Sequence, residues 1–217
     1  MTVLLFSTMD FREYSTAAGR WYNAAAMNFC NPRFLRSGWT AADAAPAVVF
    51  AGRSNAGKSS ALNALCGGRF ARAAKAPGRT RMINLFELAG GRVFADLPGY
   101  GYAAVSRGER RLWGARITRF LRAPQIVGAV LVADCRRGLG ERDAALLALA
   151  DGLPALVLMN KIDKLNRDRA RRCVVDAREQ LAEYAPSARA LPFSALKKDG
   201  VCEAREIIAG FFEAPSQ

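Results

Sequence analysis

Hydrophobic residues from position 47 onward form short, nearly continuous runs that alternate with longer amphipathic stretches. The runs at 126–134 and 154–160 are almost entirely apolar, which is typical of strands buried on both faces of a parallel sheet. The stretches between the runs repeat their apolar positions with helical spacing. We predict strands at 47–52, 83–88, 92–97, 126–134, 154–160 and 188–195, and helices at 58–66, 105–122, 140–150, 166–184 and 201–212.

The order of these elements predicts the architecture. The second and third predicted strands are separated by Ala89-Gly90-Gly91, which indicates a hairpin. The other strands alternate with helices, so we predict a three-layer α/β domain with a mostly parallel sheet and one antiparallel edge hairpin. We assign this domain to residues 47–213. Residues 1–46 contain aromatic side chains without a clear period, and we expect an extension that packs on the domain; residues 214–217 are a tail.

Composition and charge exclude several classes of protein. The 217 residues include no His, and 32 Lys and Arg against 19 Asp and Glu give a formal net charge of +13. Without His, the chain has no His-activated nucleophile and no His-ligated metal. The five Cys form no close pair, and no segment has the pattern of a signal peptide or a membrane span, so we expect a reduced, soluble, cytoplasmic protein without membrane insertion. The positive charge favours a polyanionic partner, above all nucleic acid, and a solvated basic surface without a partner is the alternative.

A phosphate-binding motif directly follows the first predicted strand. Residues 52–59 match G-x-x-x-x-G-K-[ST] and open the first predicted helix. The glycines allow backbone N–H groups to surround a phosphate chain at a helix N-terminus, where the dipole favours anions. We expect Lys58 to reach the β- and γ-phosphate oxygens and the Ser59 hydroxyl to ligate Mg²⁺; the alternative is a glycine-rich turn with a solvated Lys58. The predicted contacts are Gly52, Arg53, Ser54, Asn55, Ala56, Gly57, Lys58 and Ser59.

Three further motifs stand at the ends of predicted strands. In Asp96-Leu97-Pro98-Gly99, the carboxylate can hold a metal ion through water, and the Gly99 N–H can meet the γ-phosphate. In Asn160-Lys161-Ile162-Asp163, the carboxylate can accept hydrogen bonds from N1–H and the amino group of guanine, a donor pair that adenine lacks, while Lys161 lies over the base. A backbone N–H of Phe193-Ser194-Ala195 can contact the guanine O6. Asp163 alone is also compatible with a helix N-cap, but four motifs in this order at the carboxyl ends of strands predict a site for GTP and GDP.

Four segments of the chain resemble the EngB family of bacterial GTPases, also called YihA or YsxC: GRSNAGKSSALNAL (52–65), APGRTRMINLF (76–86), DLPGYGYA (96–103) and NKIDKL (160–165). The resemblance covers about residues 46–212. It implies a Ras-like P-loop GTPase domain, a need for Mg²⁺, a role in assembling the large ribosomal subunit, and a requirement for normal cell division and septation. By motif match, Thr80 is the mobile-loop threonine that ligates Mg²⁺ beside GTP, flanked by the nucleotide-contacting Gly78, Arg79, Arg81 and Met82.

The residue after the DxxG glycine bears on catalysis. Ras-like enzymes carry there a glutamine that orients the attacking water, whereas this chain has Tyr100, so we expect slow intrinsic hydrolysis. Asn55 matches the asparagine that binds K⁺ in TrmE-like relatives, and a cation between the β- and γ-phosphates can replace the charge of an arginine finger. The alternative is that Asn55 only caps a turn of the loop. With Lys58, Thr80 and Gly99, it completes the predicted catalytic set.

Most of the excess positive charge falls on two segments, 66–82 and 104–122, which each have a net charge of +5. We expect these segments to rearrange with the γ-phosphate. Guanidinium groups suit phosphate forks, so we expect ribosomal RNA in the precursor of the large subunit as partner, without DNA specificity, and a monomeric protein; a solvated helix face and loop is the alternative. Two other functions stay open: a GTPase that acts directly on division proteins, and an RNA-binding switch with negligible turnover.

Overall fold

The structure is a computed structural model that describes residues 29–41, 45–71, 82–100 and 107–213. In the helix that begins at Arg107, it describes only the backbone of residues 107 and 109–111. The strands are β1 (Arg33–Gly38), β2 (Ala47–Gly52), β3 (Ile83–Glu87), β4 (Val93–Asp96), β5 (Ile126–Asp134), β6 (Ala155–Asn160) and β7 (Ala188–Pro192). The helices are α1 (Lys58–Cys66), α2 (Arg107–Leu121), α3 (Glu141–Leu149), α4 (Arg167–Tyr184) and α5 (Val201–Glu213), with one 3₁₀ turn at Ile162–Lys164.

The seven strands form one sheet in the order β1-β3-β4-β2-β5-β6-β7. The strands β4, β2, β5, β6 and β7 run parallel to one another, and β3 is antiparallel to both β4 and β1. Gly90 and Gly91 turn the β3–β4 hairpin with positive φ angles, which glycine adopts without steric cost. The predicted α/β fold, its mostly parallel sheet and its hairpin are therefore confirmed.

Two apolar cores lie on opposite faces of this sheet. The central strand β2 is buried along its whole length because its side chains alternate between both cores. Val48 and Phe50 point to the core that α1 and α5 cover, and Val49 points to the core that α2, α3 and α4 cover. The helices supply Leu62, Leu65, Ile208 and Phe211 to the first core, and Ile117, Phe120, Leu146, Leu147, Val174 and Leu181 to the second.

One strand lies before the domain boundary drawn from the sequence. β1 pairs with β3 and is the first strand of the sheet. The predicted edge position of the β3–β4 hairpin is therefore wrong, because β1 covers the free side of β3. Near β1, Phe29 is buried against Phe94, with ring centroids 5.2 Å apart, and the Trp39 ring lies under the Arg116 guanidinium. The described part of the predicted extension is thus built into the sheet and both of its cores.

The parallel strands bring their carboxyl ends to one edge of the sheet, where polar loops can converge above the apolar cores. The loops after β2, β4, β5, β6 and β7 all start from this edge. Among the described helices, none combines the length and apolarity required to cross a membrane.

Candidate functional site

The loop between β2 and α1 has the geometry of a phosphate cradle. Gly57 precedes α1 with φ +99°, and a Cβ atom there would lie 2.3 Å from Nδ2 of Asn160, so only glycine fits. The loop is closed by a hydrogen bond from the Ala56 N–H to the Arg53 carbonyl. Since α1 begins directly at Lys58, its unpaired N–H groups and positive dipole end face this loop.

Lys58 and Asp96 meet at the base of this cradle. Their side chains are 6% and 2% exposed and form an ion pair across two motifs that are 38 residues apart. Beside them, the buried Ser59 Oγ finds no hydrogen-bond partner among the described residues. A buried hydroxyl without a partner is costly. The Ser59 hydroxyl, which follows Lys58 in the chain, and the Asp96 carboxylate, which pairs with Lys58, are oxygen groups of the kind that a hard cation such as Mg²⁺ prefers.

A second group of contacts ties the phosphate loop to the end of β6. The Asn160 amide donates to the Ala56 carbonyl at 2.9 Å and accepts from the Ala195 N–H at 3.1 Å. The Lys161 ammonium donates to the Asn55 carbonyl at 2.6 Å and to the Asp134 carboxylate at 2.8 Å. The side chains of Asn160 and Lys161 thus join three motifs into one site: the phosphate loop, residues 160–163 and residues 193–195.

Asp163 faces the loop after β7. The Ser194 hydroxyl donates to its carboxylate at 2.6 Å, and this hydrogen bond outweighs burial and lowers the pKa of Asp163. The charged carboxylate is thereby held in place as an acceptor for donors on a ligand. The N–H groups of Ser194 and Ala195, which the sequence assigns to the guanine O6, already donate to Asp199 and Asn160.

Tyr100 connects the DxxG segment to two neighbouring elements. Its carbonyl accepts from the Ser54 N–H at 2.8 Å, and its hydroxyl donates to the Asp143 carboxylate on α3. Asp143 is 1% exposed, and its second oxygen accepts from the Gly140 N–H at 2.9 Å. Burial, reinforced by the Asp143 charge, raises the pKa of Tyr100, so its hydroxyl remains a donor.

The structure brings most of the predicted site residues together. Gly99 approaches Ser54, since a Cβ on Gly99 would lie 3.4 Å from the Ser54 backbone. Gly78, Arg79, Thr80 and Arg81 lie outside the described residues, and the neighbouring Met82 is 40% exposed at the start of β3. Leu97 and Phe193 are buried in the apolar cores, so only their backbone groups can serve the site. Among the described residues, no side-chain hydrogen bond involves Asn55, whose φ angle is +66°.

Three polar residues near the carboxyl ends of the strands are absent from the site residues that the sequence predicts: Asp134, Arg136 and Asp143. Asp134 accepts hydrogen bonds from Lys161 and from Arg136, and although burial opposes ionisation, these bonds lower the pKa of its carboxyl. A signal for Asp134 was available, because it ends an apolar strand as Asp96 does. Asp143 carries no comparable local signal, since it lies within the first turn of a helix.

Comparison with known proteins identifies related GTP-binding proteins. A family model described as "50S ribosome-binding GTPase" matches residues 47–161, and one described as "Elongation factor Tu GTP binding domain" matches residues 116–214. The crystal structure of Era from Aquifex aeolicus bound to GDP.AlF4- superimposes with a TM-score of 0.57 over 76% of this chain and 56% of that chain. At 22% identity, that likeness concerns the fold alone.

Closer relatives share the EngB name. "Probable GTP-binding protein EngB" from Aromatoleum aromaticum is 42% identical over 78% of this chain and 80% of its own length. Its namesake from Methylococcus capsulatus is 41% identical over 85% of this chain and 92% of its own length. A crystal structure of a probable GTP-binding protein engB has a TM-score of 0.63 at 26% identity, over 77% of this chain and 98% of that chain. The chain therefore belongs to the EngB family of GTP-binding proteins, and it is a GTPase.

Proposed function

We propose that this GTPase uses the site described above to bind GTP or GDP with Mg²⁺, and that it acts as a nucleotide-controlled factor in assembly of the large ribosomal subunit. The observation that carries the nucleotide assignment is the meeting of four motifs at one sheet edge: Asn160 and Lys161 join three of them, and the Lys58–Asp96 ion pair joins the fourth. Normal cell division and septation depend, in this proposal, on the supply of ribosomal subunits.

Guanine selection rests on Asp163. A carboxylate can accept from both N1–H and the amino group of guanine, and adenine offers no such pair of donors. The Ser194 hydroxyl fixes one oxygen of Asp163 and favours its charged form. The Lys161 ammonium donates to Asp134 and to the Asn55 carbonyl of the phosphate loop, and in this proposal the side chain also covers the base.

Mg²⁺ fits the oxygen set at the base of the cradle. In this proposal Ser59 ligates the ion directly, Asp96 holds it through water, and Thr80, outside the described residues, joins when GTP is bound. The bound ion supplies charge neutralisation at the phosphates. Lys58 provides a second positive charge at the same point, because it is buried against Asp96. Gly99 offers a backbone N–H to the γ-phosphate.

Hydrolysis without added factors is slow in this proposal. Tyr100 stands where Ras-like enzymes carry a glutamine, and its hydroxyl donates its hydrogen bond to Asp143. An arginine finger adds about 10⁵-fold in Ras-type enzymes, equal to about 7 kcal/mol of barrier. A K⁺ ion at Asn55 is the proposed source of part of this stabilisation, since no described residue accepts or donates a hydrogen bond at its side chain.

The ribosomal role is supported by similarity and charge. The matching family model is described as a 50S ribosome-binding GTPase, and the chain has a net charge of +13. Ten of these charges lie on segments 66–82 and 104–122, of which the structure describes only part. We propose that both segments contact ribosomal RNA when GTP orders them, and that the protein acts as a monomer.

A nucleotide titration tests the site. Asp163→Asn should weaken GTP binding and improve binding of xanthosine triphosphate, because the amide reverses one donor–acceptor pair. The loss for GTP should be about 1.5–3 kcal/mol, the size of a hydrogen bond to a charged group. Wild-type protein that binds ATP as tightly as GTP, measured by fluorescence titration, would exclude the guanine assignment.

Sedimentation with large-subunit particles tests the ribosomal role. Wild-type protein should co-sediment more strongly with a non-hydrolysable GTP analogue than with GDP, and Arg110, Arg111 and Arg119 changed together to Glu should weaken this binding without loss of GTP affinity. Turnover measured on the same particles separates an active GTPase from a pure switch. Equal and negligible sedimentation in both nucleotide states would contradict the proposal.

A further inference from the structure

The helix α4 has basic residues near its N-terminus and none in its last turn, an arrangement that the helix dipole disfavours. Its first six residues, Arg167–Arg172, include four arginines and one acid, Asp168, whereas its last turn holds no basic residue and ends near Glu183. A helix N-terminus has a partial positive charge, so cations there are unfavourable and anions are favourable. A charge pattern that destabilises a helix, without a compensating contact inside the protein, is typical of a surface that serves a function.

No internal contact of the described residues compensates this arrangement. Arg167, Arg169, Arg171 and Arg172 are all exposed, and none forms an ion pair with a described residue. The helix itself is well formed, because Asn166 caps it by accepting from the Arg169 N–H at 3.0 Å and its inner side chains lie in the core. The arginines are therefore not required to hold α4 in place.

The neighbouring loop after β5 extends the same positive surface. Arg136 and Arg137 line one wall of a cleft of about 330 Å³, and Cys173, Asp176 and Gln180 of α4 line the other. Arg136 is 48% exposed although it is paired with Asp134. We define the α4 surface as six arginines of this loop and of α4: Arg136, Arg137, Arg167, Arg169, Arg171 and Arg172. Two acidic residues, Asp168 and Asp176, lie among them.

We propose that the α4 surface is a second RNA-binding surface, which holds the phosphate backbone of RNA independently of the bound nucleotide. Exposed guanidinium groups pair with phosphate oxygens in forks. Of the large apolar side chains on α4, only Val175 is strongly exposed. The one aromatic residue of α4, Tyr184, is its last residue, far from the arginines of the first turns, and it packs against the apolar core. These features fit a duplex-like backbone better than a single strand or an apolar protein interface.

This inference rests on the proposed ribosomal RNA partner but concerns a different part of the molecule. The segments 66–82 and 104–122 follow the phosphate loop and the DxxG motif, which respond to the γ-phosphate. The α4 surface instead follows β5 and β6, at the Asp134–Lys161 side of the site. Its RNA contacts should therefore be equal with GTP and GDP, and should keep the protein on RNA after hydrolysis.

A salt series of RNA binding tests the α4 surface. The full chain is measured against a short RNA duplex of arbitrary sequence and against large-subunit particles, with a GTP analogue and with GDP. The variant Arg169→Gln, Arg172→Gln should flatten the slope of log affinity against log salt by about 1.8, and lower affinity about 60-fold at 0.1 M salt, in both nucleotide states. The control, Arg33→Gln with Arg36→Gln, removes the same charge at β1 on the opposite edge of the sheet and should change neither value.

A stability measurement separates function from folding. Arg169→Glu with Arg172→Glu places acids near the helix N-terminus, so this variant should melt at a higher temperature than wild type while binding RNA more weakly. GTP affinity should stay unchanged in all variants, which checks that the site is intact.

The outcomes are distinguishable. Equal RNA affinity of the α4 and β1 variants would overturn this inference while leaving the ribosomal role intact. A loss on particles without a loss on the RNA duplex would also overturn it, because it indicates a protein contact. A loss only with the GTP analogue would assign α4 to the nucleotide switch instead. Wild-type protein without affinity for RNA in either state would contradict the proposed function itself.

Discussion

Removing the hydroxyl group of Tyr100 tests the connection between the DxxG segment and α3. In Tyr100→Phe, the ring and its contact near Trp113 remain, while the donor to Asp143 is lost. Asp143 is 1% exposed, so one carboxylate oxygen would be left without its described donor and without access to water. Among the described residues, the Gly140 N–H would remain as hydrogen-bond donor to this carboxylate.

The size of the effect follows from these contacts. A hydrogen bond to a charged group contributes about 1.5–3 kcal/mol, and its loss is felt in full when the acceptor is buried. We therefore expect the free energy of unfolding to fall by about 2 kcal/mol. For a protein of this length, this corresponds to a melting temperature lower by about 4–8 °C.

Thermal and urea unfolding measure this change at saturating GDP and Mg²⁺, with GDP affinity determined for each variant so that stabilisation by the ligand is corrected. Tyr184→Phe is the matched control, because Tyr184 lies near the same carboxylate but its hydroxyl makes no hydrogen bond with a described residue. It should change stability by less than about 0.5 kcal/mol. In an Asp143→Ala background, Tyr100→Phe should likewise cost less than about 0.5 kcal/mol.

Two results would refute this reasoning. Equal stability of Tyr100→Phe and Tyr184→Phe would mean that the hydroxyl contributes nothing. A full loss from Tyr100→Phe in the Asp143→Ala background would mean that its effect does not pass through the carboxylate.

Three further predictions concern the nucleotide site. Gly57→Ala should lower GDP affinity more than about tenfold in a fluorescence titration, because its Cβ would meet Asn160 and its φ is positive; Gly68→Ala, with open space around it, should not, and equal affinities would refute the steric account. GTP hydrolysis should be faster in KCl than in NaCl at equal ionic strength, and Asn55→Ala should abolish the difference; equal wild-type rates would remove support for K⁺. Asp134→Asn should destabilise the protein at neutral pH but not in acid: its folded-state pKa is lowered, so its contribution is present above the unfolded pKa of about 3.9 and is lost as the pH falls through the folded pKa. Urea unfolding from neutral to acid pH measures this, and a difference independent of pH would contradict it.

The pattern of apolar positions was sufficient for the elements of the buried core. The predicted β2, β5 and α1 match the structure residue for residue, and the other predicted elements agree to within a few positions. Strands buried on both faces must be continuous apolar runs, and helices must repeat every three to four residues, so both signals are local. The motifs were equally local, because each combines a strand end with the turn that follows it.

The edge strand β1 could not be found in this way. Its sequence RFLRSG has mostly exposed positions, since β1 has only one neighbour and its outer side faces solvent. What makes these residues a strand is pairing with β3, whose Glu87 also accepts from Arg33, 54 residues earlier. Such pairing depends on where the rest of the sheet ends.

Sequence alone therefore determined the fold class, the order of the elements and the four nucleotide motifs, because short-range periodicity and turn chemistry encode them. The tertiary structure decided which side chains hold those motifs together. Lys161 reaches Asp134 and the Asn55 carbonyl, Asn160 reaches Ala56, and Tyr100 reaches Asp143, across separations of 27 to 106 residues. These partners carry no shared local pattern; they meet because parallel strands deliver their carboxyl ends, and the loops after them, to the same edge of the sheet.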